Sequence, residues 1–514
     1  MISRRDFLWV ATASGLVAWP LPAAFAQRSS TEGKLFRHGV ASGDPLTDRV
    51  MLWTRVTPPP TRSATGPIAV TWQVATDERL RDVVAHGTAQ AADSHDFTVK
   101  VDAGGLKPGR TYYYAFDTGG ERSPIGRTKT LPAGSVDRLR VASVSCSNYP
   151  AGFFNVYRCL ANRSDLDAVI HLGDYIYEFA NGVYGDGTAT ERVPQPPKEA
   201  ITLADYRSRY ATYRSDVDLQ EVHRVHPFIV VWDDHELAND AWSGGAQNHN
   251  EGEGDWATRQ AAAYQAYLEW MPIRESSAKG IHLYRTLRFG DLADLVMLDT
   301  RGLRDQQVPA TDFDRLVDPK RTLLGAEQEA WFFDQLRSSQ RAGTRWRVLG
   351  QQVLFSPLTP PGARVQNTDV WEGYPAARRR IFDFLNSDKI TDVAILTGDV
   401  HSSWAFDVPA DPFGGYSRNS GTGAAAVELV TPAISSPPLF SDAASRERAP
   451  MLRLVLPHLK YLDGANRGYV LLDVGRERLQ ADWYFVATVE QRSAEEKKAV
   501  SFVCERGSSR LMPV

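Results

Sequence analysis

Between residues 139 and 397 the chain repeats one arrangement: a short apolar run, then side chains of the kind that hold metals. Val141-Ala142-Ser143-Val144 leads into Ser145-Cys146-Ser147-Asn148, and Ala168 to Leu172 into Gly173-Asp174-Tyr175-Ile176-Tyr177. Ile229-Val230-Val231-Trp232 leads into Asp233-Asp234-His235-Glu236, Val296-Met297-Leu298 into Asp299-Thr300-Arg301, and Ala394-Ile395-Leu396-Thr397 into Gly398-Asp399-Val400-His401. Runs this uniformly apolar read as strands covered on both faces. Helical patterns separate them, at 153–161, 204–213, 256–270, 326–336 and 376–385. Strands alternating with helices imply an α/β core, whose ligands collect beyond the carboxyl ends of the strands. The ligand-bearing strand ends are therefore expected to meet in one crevice.

Singly, each cluster has a plainer meaning. An Asp before a turn caps it, and a Cys after a strand is a small buried hydrophobe. Together they are hard to explain that way, because converging Asp and His side chains repel or stay unpaired without a counter-ion. Cys, Tyr and His suit a transition metal, whereas Asp and Asn oxygens suit a hard cation such as calcium. A mixed-metal centre is the expectation, with Asp174 placed to bridge. Two close metals clamp a phosphoryl group and activate a water between them.

The region from Leu35 to Pro132 has a different texture. Short extended runs (50–56, 68–75, 97–101 and 111–116) alternate with Gly, Pro and Asp clusters and read as a small β-sandwich. The expected organisation is a sandwich over 35–132, a catalytic domain over 138–490 and a C-terminal extension over 491–514. At the N-terminus, Arg4-Arg5 precede an apolar stretch and Ala24-Phe25-Ala26, the pattern of a twin-arginine secretory signal over residues 1–26. That stretch is shorter than the ~20 residues of a spanning helix. The twin-arginine machinery is thus an expected partner and the periplasm or exterior the expected location. With 43% hydrophobic residues in 514, a large core is available, and a net charge of −4 gives no nucleic-acid footprint. Three cysteines make no disulfide framework, although a Cys146–Cys159 bridge stays open. No lipid-anchor or amphipathic segment argues for a membrane anchor.

Gly173-Asp174-Tyr175-Ile176-Tyr177 resembles the G-D-x-x-Y motif of purple acid phosphatases. Asp233 to Glu236 stands where calcineurin-like metallophosphoesterases carry G-N-H-E, and Gly398 to His401 stands near their G-H-x-H. More closely, Gly39-Val40-Ala41-Ser42-Gly43-Asp44-Pro45, Met51 to Val56, Ser143 to Asn148, His171 to Glu178, Trp232 to Asp240, Leu298 to Asp305 and Leu396 to Ser403 resemble, in order, the PhoD-type alkaline phosphatases and phosphodiesterases. The resemblance runs from about residue 35 to beyond 470. It implies an α/β fold with a four-layer α/β/β/α metallophosphoesterase core and an N-terminal β-sandwich. It implies hydrolysis of phosphate esters by a metal-bound hydroxide attacking phosphorus in line, with Fe3+ and Ca2+ as cofactors (Zn2+ or Mn2+ as the alternative). By motif, Cys146, Asp174, Tyr177 and His401 match the iron ligands. Asp174, Asp234 and Asp399 match the calcium side, with Asn239 as an addition. His235 matches the catalytic histidine, and Arg301 is the candidate phosphate contact, against an ion pair with Asp299 or Asp305. Asp233, alternating with Asp234, is expected to point away and cap the turn. Other readings are a phospholipase D-like diesterase and a binding protein on the same scaffold.

Overall fold

The computed structural model describes residues 35–58, 66–275 and 282–514; the signal segment 1–26 lies outside them. Strand Arg138–Val144 pairs in parallel with Ala168–His171, which pairs in parallel with Pro227–Val230. In a second, seven-stranded sheet, Ala293–Met297, Trp346–Gly350, Val393–Thr397 and Ala424–Val430 run parallel. Antiparallel strands flank these four: Arg285–Phe289 on one side, Ser403–Pro409 and Leu459–Asp463 on the other.

The uninterrupted apolar runs follow from the layering. Leu295, Met297, Ala394 and Leu396 belong to a core shared with Val141, Ala168, Ile170 and Ile229 on the facing side of the first sheet. Their chain neighbours Val296, Leu298, Val393 and Ile395 point the other way, onto Phe332, Leu336, Ile381 and Leu385. Those last residues belong to helices Ala326–Arg341 and Pro375–Ser387. Helices Asn155–Ala161, Leu203–Arg214, Val217–Val225 and Trp256–Trp270 cover the outer face of the first sheet. Alternate side chains of each strand in the second sheet thus bury in different cores, so both faces favour apolar residues and the few polar ones, such as Glu428, are held by hydrogen bonds. The order of layers is helix, sheet, sheet, helix.

The N-terminal region is a sandwich that shares one of its layers. Val83–Ala91, Ile68–Ala75, Thr111–Thr118, Glu121–Arg122 and Gly126–Lys129 form a five-stranded sheet. Val70, Val74, Tyr114 and Phe116 from it pack on Val40, Val50, Leu52 and Val99. The strands carrying that second group are Val40–Gly43, Arg49–Arg55 and Thr98–Gly104, and they extend the first catalytic sheet through the parallel pair of Val40–Gly43 with Pro227–Val230. At the far side the same sheet runs through Gly468–Gly475 and Arg478–Val486 to Glu496–Glu505 and Met512–Pro513. Residues set apart by sequence at 35–132 and 491–514 are therefore continuous by hydrogen bonding with the ten-stranded sheet. Helix Val217–Val225, not among the helical patterns read from sequence, is capped by Asp216, whose carboxylate accepts from Asp218 N at 2.8 Å. Cys146, Cys159 and Cys504 are free thiols, so the 146–159 bridge is not formed. No helix among the described residues is long and apolar enough to cross a membrane.

Candidate metal centre

Four of the motif residues hold a backbone conformation that L-residues avoid. Cys146, Asp174, Asp399 and His401 have φ of 63°, 54°, 61° and 51°. Such strain persists only where surrounding structure over-determines it, and it clusters at functional sites. Each lies just past a strand end and turns its side chain sharply into the crevice. Gly173 makes room: a Cβ there would meet Asp233 Cβ and N at 2.4 Å. The turns are bound to one another. Glu236, fully buried, accepts backbone N–H bonds from Asp174 at 3.0 Å, Tyr175 at 2.6 Å and Asp233 at 2.8 Å. Burial pushes the Glu236 carboxyl up to about 8, with Asp174 adding to the shift.

Ligand atoms of three groups lie within 4.8 Å of one another: Cys146, Asp174 and His401; Asp174, Asp234 and His235; Asp233, Asp234 and Asp399. Asp174 belongs to two of them. In the first group Tyr177 Oη donates to Asp174 Oδ2 at 2.8 Å and lies 3.1 Å from His401 Nε2. Ser436 Oγ is 2.7 Å from the same phenol. Tyr184 Oη and the Pro437 carbonyl stand 2.9 and 3.1 Å from His401 Nδ1. Burial pushes the Cys146 thiol and the Tyr177 phenol well up, and the Asp174 charge adds to both.

The acidic group is enclosed around Arg301, whose side chain is fully buried. Its Nε donates to Asp233, its Nη1 to Asp369 at 2.8 and 2.9 Å, and its Nη2 to Asp399 at 3.0 Å, with Asp234 Oδ1 at 3.5 Å. The expected pair with Asp299 or Asp305 is not what the guanidinium makes; Asp299 accepts the backbone N–H groups of Arg301 at 2.9 Å and Gly302 at 2.8 Å. Nor is the guanidinium open to a phosphate, because carboxylates surround it. Asp233 also departs from expectation. The strand ends at Val230, so alternation no longer governs residue 233, and its side chain joins the cluster. Burial raises the Asp233 carboxyl well above its ordinary range, and burial pushes Asp399 up to about 7 against the pull of Arg301.

His235 is held rather than free. Its Nδ1 lies 2.8 Å from Glu178 Oε2, and its ring sits 4.3 Å from that of Tyr177. Burial pushes its pKa down, but Asp234, Glu178 and Asp174 outweigh burial and raise it well above the ordinary value. Glu178 also accepts from Asn239 N at 2.8 Å and Asn248 Nδ2 at 2.9 Å. The Asn239 side chain donates to Gln247 at 2.9 Å, so Asn239 meets the site through its backbone. Glu178 and Asp369 are the members that sequence reading misses. Glu178 is in plain view one residue after Tyr177, but nothing local marks its partner as His235. Asp369 follows a long loop and carries no strand-end signal.

Several histidines and acids outside the cluster are structural. His171 Nε2 pairs with Tyr157 Oη at 2.9 Å, and His223 Nε2 with Tyr175 Oη at 2.9 Å. His226 Nε2 is 3.0 Å from the Leu160 carbonyl. Glu428 accepts from Phe355 N, Ser356 N and Thr397 Oγ1 at 2.7–2.8 Å and so ties two strand ends together.

The donor set fits metal ions. Asp174 Oδ1, Asp233 Oδ2 and Asp234 Oδ1 are buried and have no hydrogen-bond partner. Each such oxygen costs about 1–3 kcal/mol unless something accepts its lone pairs. A cation does so, with oxygens for a hard ion on one side and a thiol, phenol and imidazole for a softer one on the other.

Comparison with known proteins identifies the family. The sequence profile of PhoD-like phosphatases matches residues 141–483, and that of the PhoD-like phosphatase N-terminal domain matches residues 22–132. The chain is 39% identical over 495 residues to alkaline phosphatase D of Bacillus subtilis (strain 168), covering 93% of this chain and 82% of that protein. A solved structure of PhoD superposes with a TM-score of 0.83 at 37% identity, covering 93% of this chain and 92% of the other.

Proposed function

Because the chain belongs to the PhoD-like phosphatase family and is a phosphoric ester hydrolase, we propose that its strand-end cluster is the reaction site and that it holds iron and calcium side by side. The observation that carries this reading is a chain of shared carboxylates: Asp174 belongs both to the group with Cys146 and His401 and to the group with Asp234 and His235, and Asp234 belongs in turn to the all-oxygen group with Asp233 and Asp399. Cys146, Asp174, Tyr177 and His401 would hold the iron. Asp174, Asp234 and Asp399 would hold the calcium, with Asp233 beside them and Asn239 at the margin. Metals bound there supply Lewis acidity, which polarises the phosphoryl oxygens and acidifies a water.

The chain's own residues do the rest. Glu178 accepts from His235 Nδ1 and fixes the imidazole so that its other nitrogen faces the cluster, where it protonates the leaving oxygen. Arg301 holds Asp233, Asp369 and Asp399 in place as their shared counter-charge. Glu236 keeps the Asp174 and Asp233 turns in register. The twin-arginine signal at residues 1–26 assigns the mature protein to the periplasm or exterior, and cell fractionation tests this.

Elemental analysis of protein purified without chelators tests the metal assignment. Iron and calcium together are the expected result. Zinc or manganese in their place would keep the hydrolase and overturn the roles of Cys146 and Tyr177. Parallel assays with a phosphate monoester and a diester then separate a phosphatase from a phospholipase D-like diesterase.

A further inference from the structure

Arg301 leaves the site with a deficit. Its guanidinium is committed to carboxylates, yet the substrate of a phosphoric ester hydrolase is an anion that must be drawn into an acidic crevice. Arg467 is placed to supply what Arg301 does not. It lies in the turn between strands Leu459–Asp463 and Gly468–Gly475. Its Nε donates to the Ser436 carbonyl at 3.3 Å and its Nη1 to the Ala465 carbonyl at 3.2 Å. No carboxylate pairs with it among the described residues, although Glu490 and the Tyr184 phenol are near enough to act on it electrostatically. Nη2 carries no hydrogen bond and is not among the fully buried polar atoms left without a partner, so it keeps some exposure and a donor to spare. Ser436 connects this group to the centre: its hydroxyl lies 2.7 Å from Tyr177 Oη and 2.9 Å from the Cys146 carbonyl. Tyr184, the other neighbour, lies 2.9 Å from His401 Nδ1.

We propose that Arg467 is a substrate-binding residue whose free guanidinium edge takes the anionic oxygens of the phosphate ester on the thiol–imidazole side of the site. This rests on the strand-end cluster being the reaction site. The carbonyls of Ser436 and Ala465 orient the fork without neutralising it, so its full charge is available to a phosphate, for which arginine's planar donors are suited. Partial burial strengthens that attraction over what a solvated lysine would offer.

The test uses metal-loaded enzyme, a phosphate monoester as substrate and inorganic phosphate as competitive inhibitor. For Arg467→Met the expected result is about a tenfold rise in both KM and the phosphate inhibition constant, with kcat changed much less. Arg467→Lys, which keeps the charge, is expected to recover part of the phosphate affinity. Metal content and thermal midpoint should match the parent in both. Unchanged phosphate inhibition in Arg467→Met would overturn the inference, as would a parallel loss of metal or of folding in both variants, which would make the role structural. An Asp174→Ala control separates the two readings: if it keeps turnover, the site assignment fails and the Arg467 role falls with it.

Discussion

The two flanks of the centre solve the same burial problem in opposite ways. On the Cys146–Tyr177–His401 flank every group can be neutral: the phenol and imidazole meet each other, Ser436 donates to the phenol, and the thiol donates to Ser145. On the Asp233–Asp234–Asp399 flank nothing is neutral at ordinary pH except by taking up protons, and one guanidinium faces four carboxylates. The first flank can wait for a metal; the second is short of positive charge until one arrives. A cation on the acidic flank would therefore serve first to balance charge, whereas one on the thiol–imidazole flank would not be needed for that.

Removing what the flanks share should have the largest effect. Asp174→Ala is expected to lower turnover on the order of a thousandfold and to empty both metal positions, read by kinetics and elemental analysis. Loss of one metal alone would mean that the flanks are independent. Next is Arg301→Met, which leaves Asp233 and Asp399 without their counter-charge while Asp369 keeps Arg304; denaturant unfolding should show a loss of about 3–5 kcal/mol in metal-free protein. If added calcium recovers much of that loss, the electrostatic reading of the acidic flank is sharpened. Glu178→Gln should cost about 10–100-fold in kcat, because it loosens His235 without touching either ligand set. Measured against esters of increasing leaving-group pKa, the deficit should grow, and an even deficit across the series would remove His235 from the protonation step. Asn239→Ala is the smallest change. Its side chain bonds Gln247, and its backbone serves Glu178 whatever the side chain, so less than about threefold in kcat/KM is expected.

How much of this could be read from sequence depended on how local the signal was. The strand ends at Cys146, Asp174, Asp234, Asp399 and His401 were legible, because strands buried on both faces are mostly apolar and each of these residues follows where the apolar run stops. The α/β core was legible for the same reason, whereas its four layers followed from the family resemblance. Alternation failed at Asp233, because it was applied beyond Val230, where the strand had stopped. Arg301 was misjudged because its main partner, Asp369, reaches it from a loop that carries no periodic pattern. The sharing of a sheet layer by the N-terminal sandwich was equally hidden: Val40–Gly43 is four residues long, too short for any repeat, yet it makes the junction.

That junction has a counterpart across the sheet. The central strand Arg138–Val144 takes Ala168–His171 as one neighbour and Gly468–Gly475 as the other. On a ribosome, the turn bearing Cys146 would therefore wait, with one side of its strand open, until almost the whole enzyme had been synthesised. A nascent chain of this topology cannot complete its catalytic half early, and the exposed strand edge needs shielding in the interval. Assembly of the site is thus an event that follows translation rather than one that accompanies it.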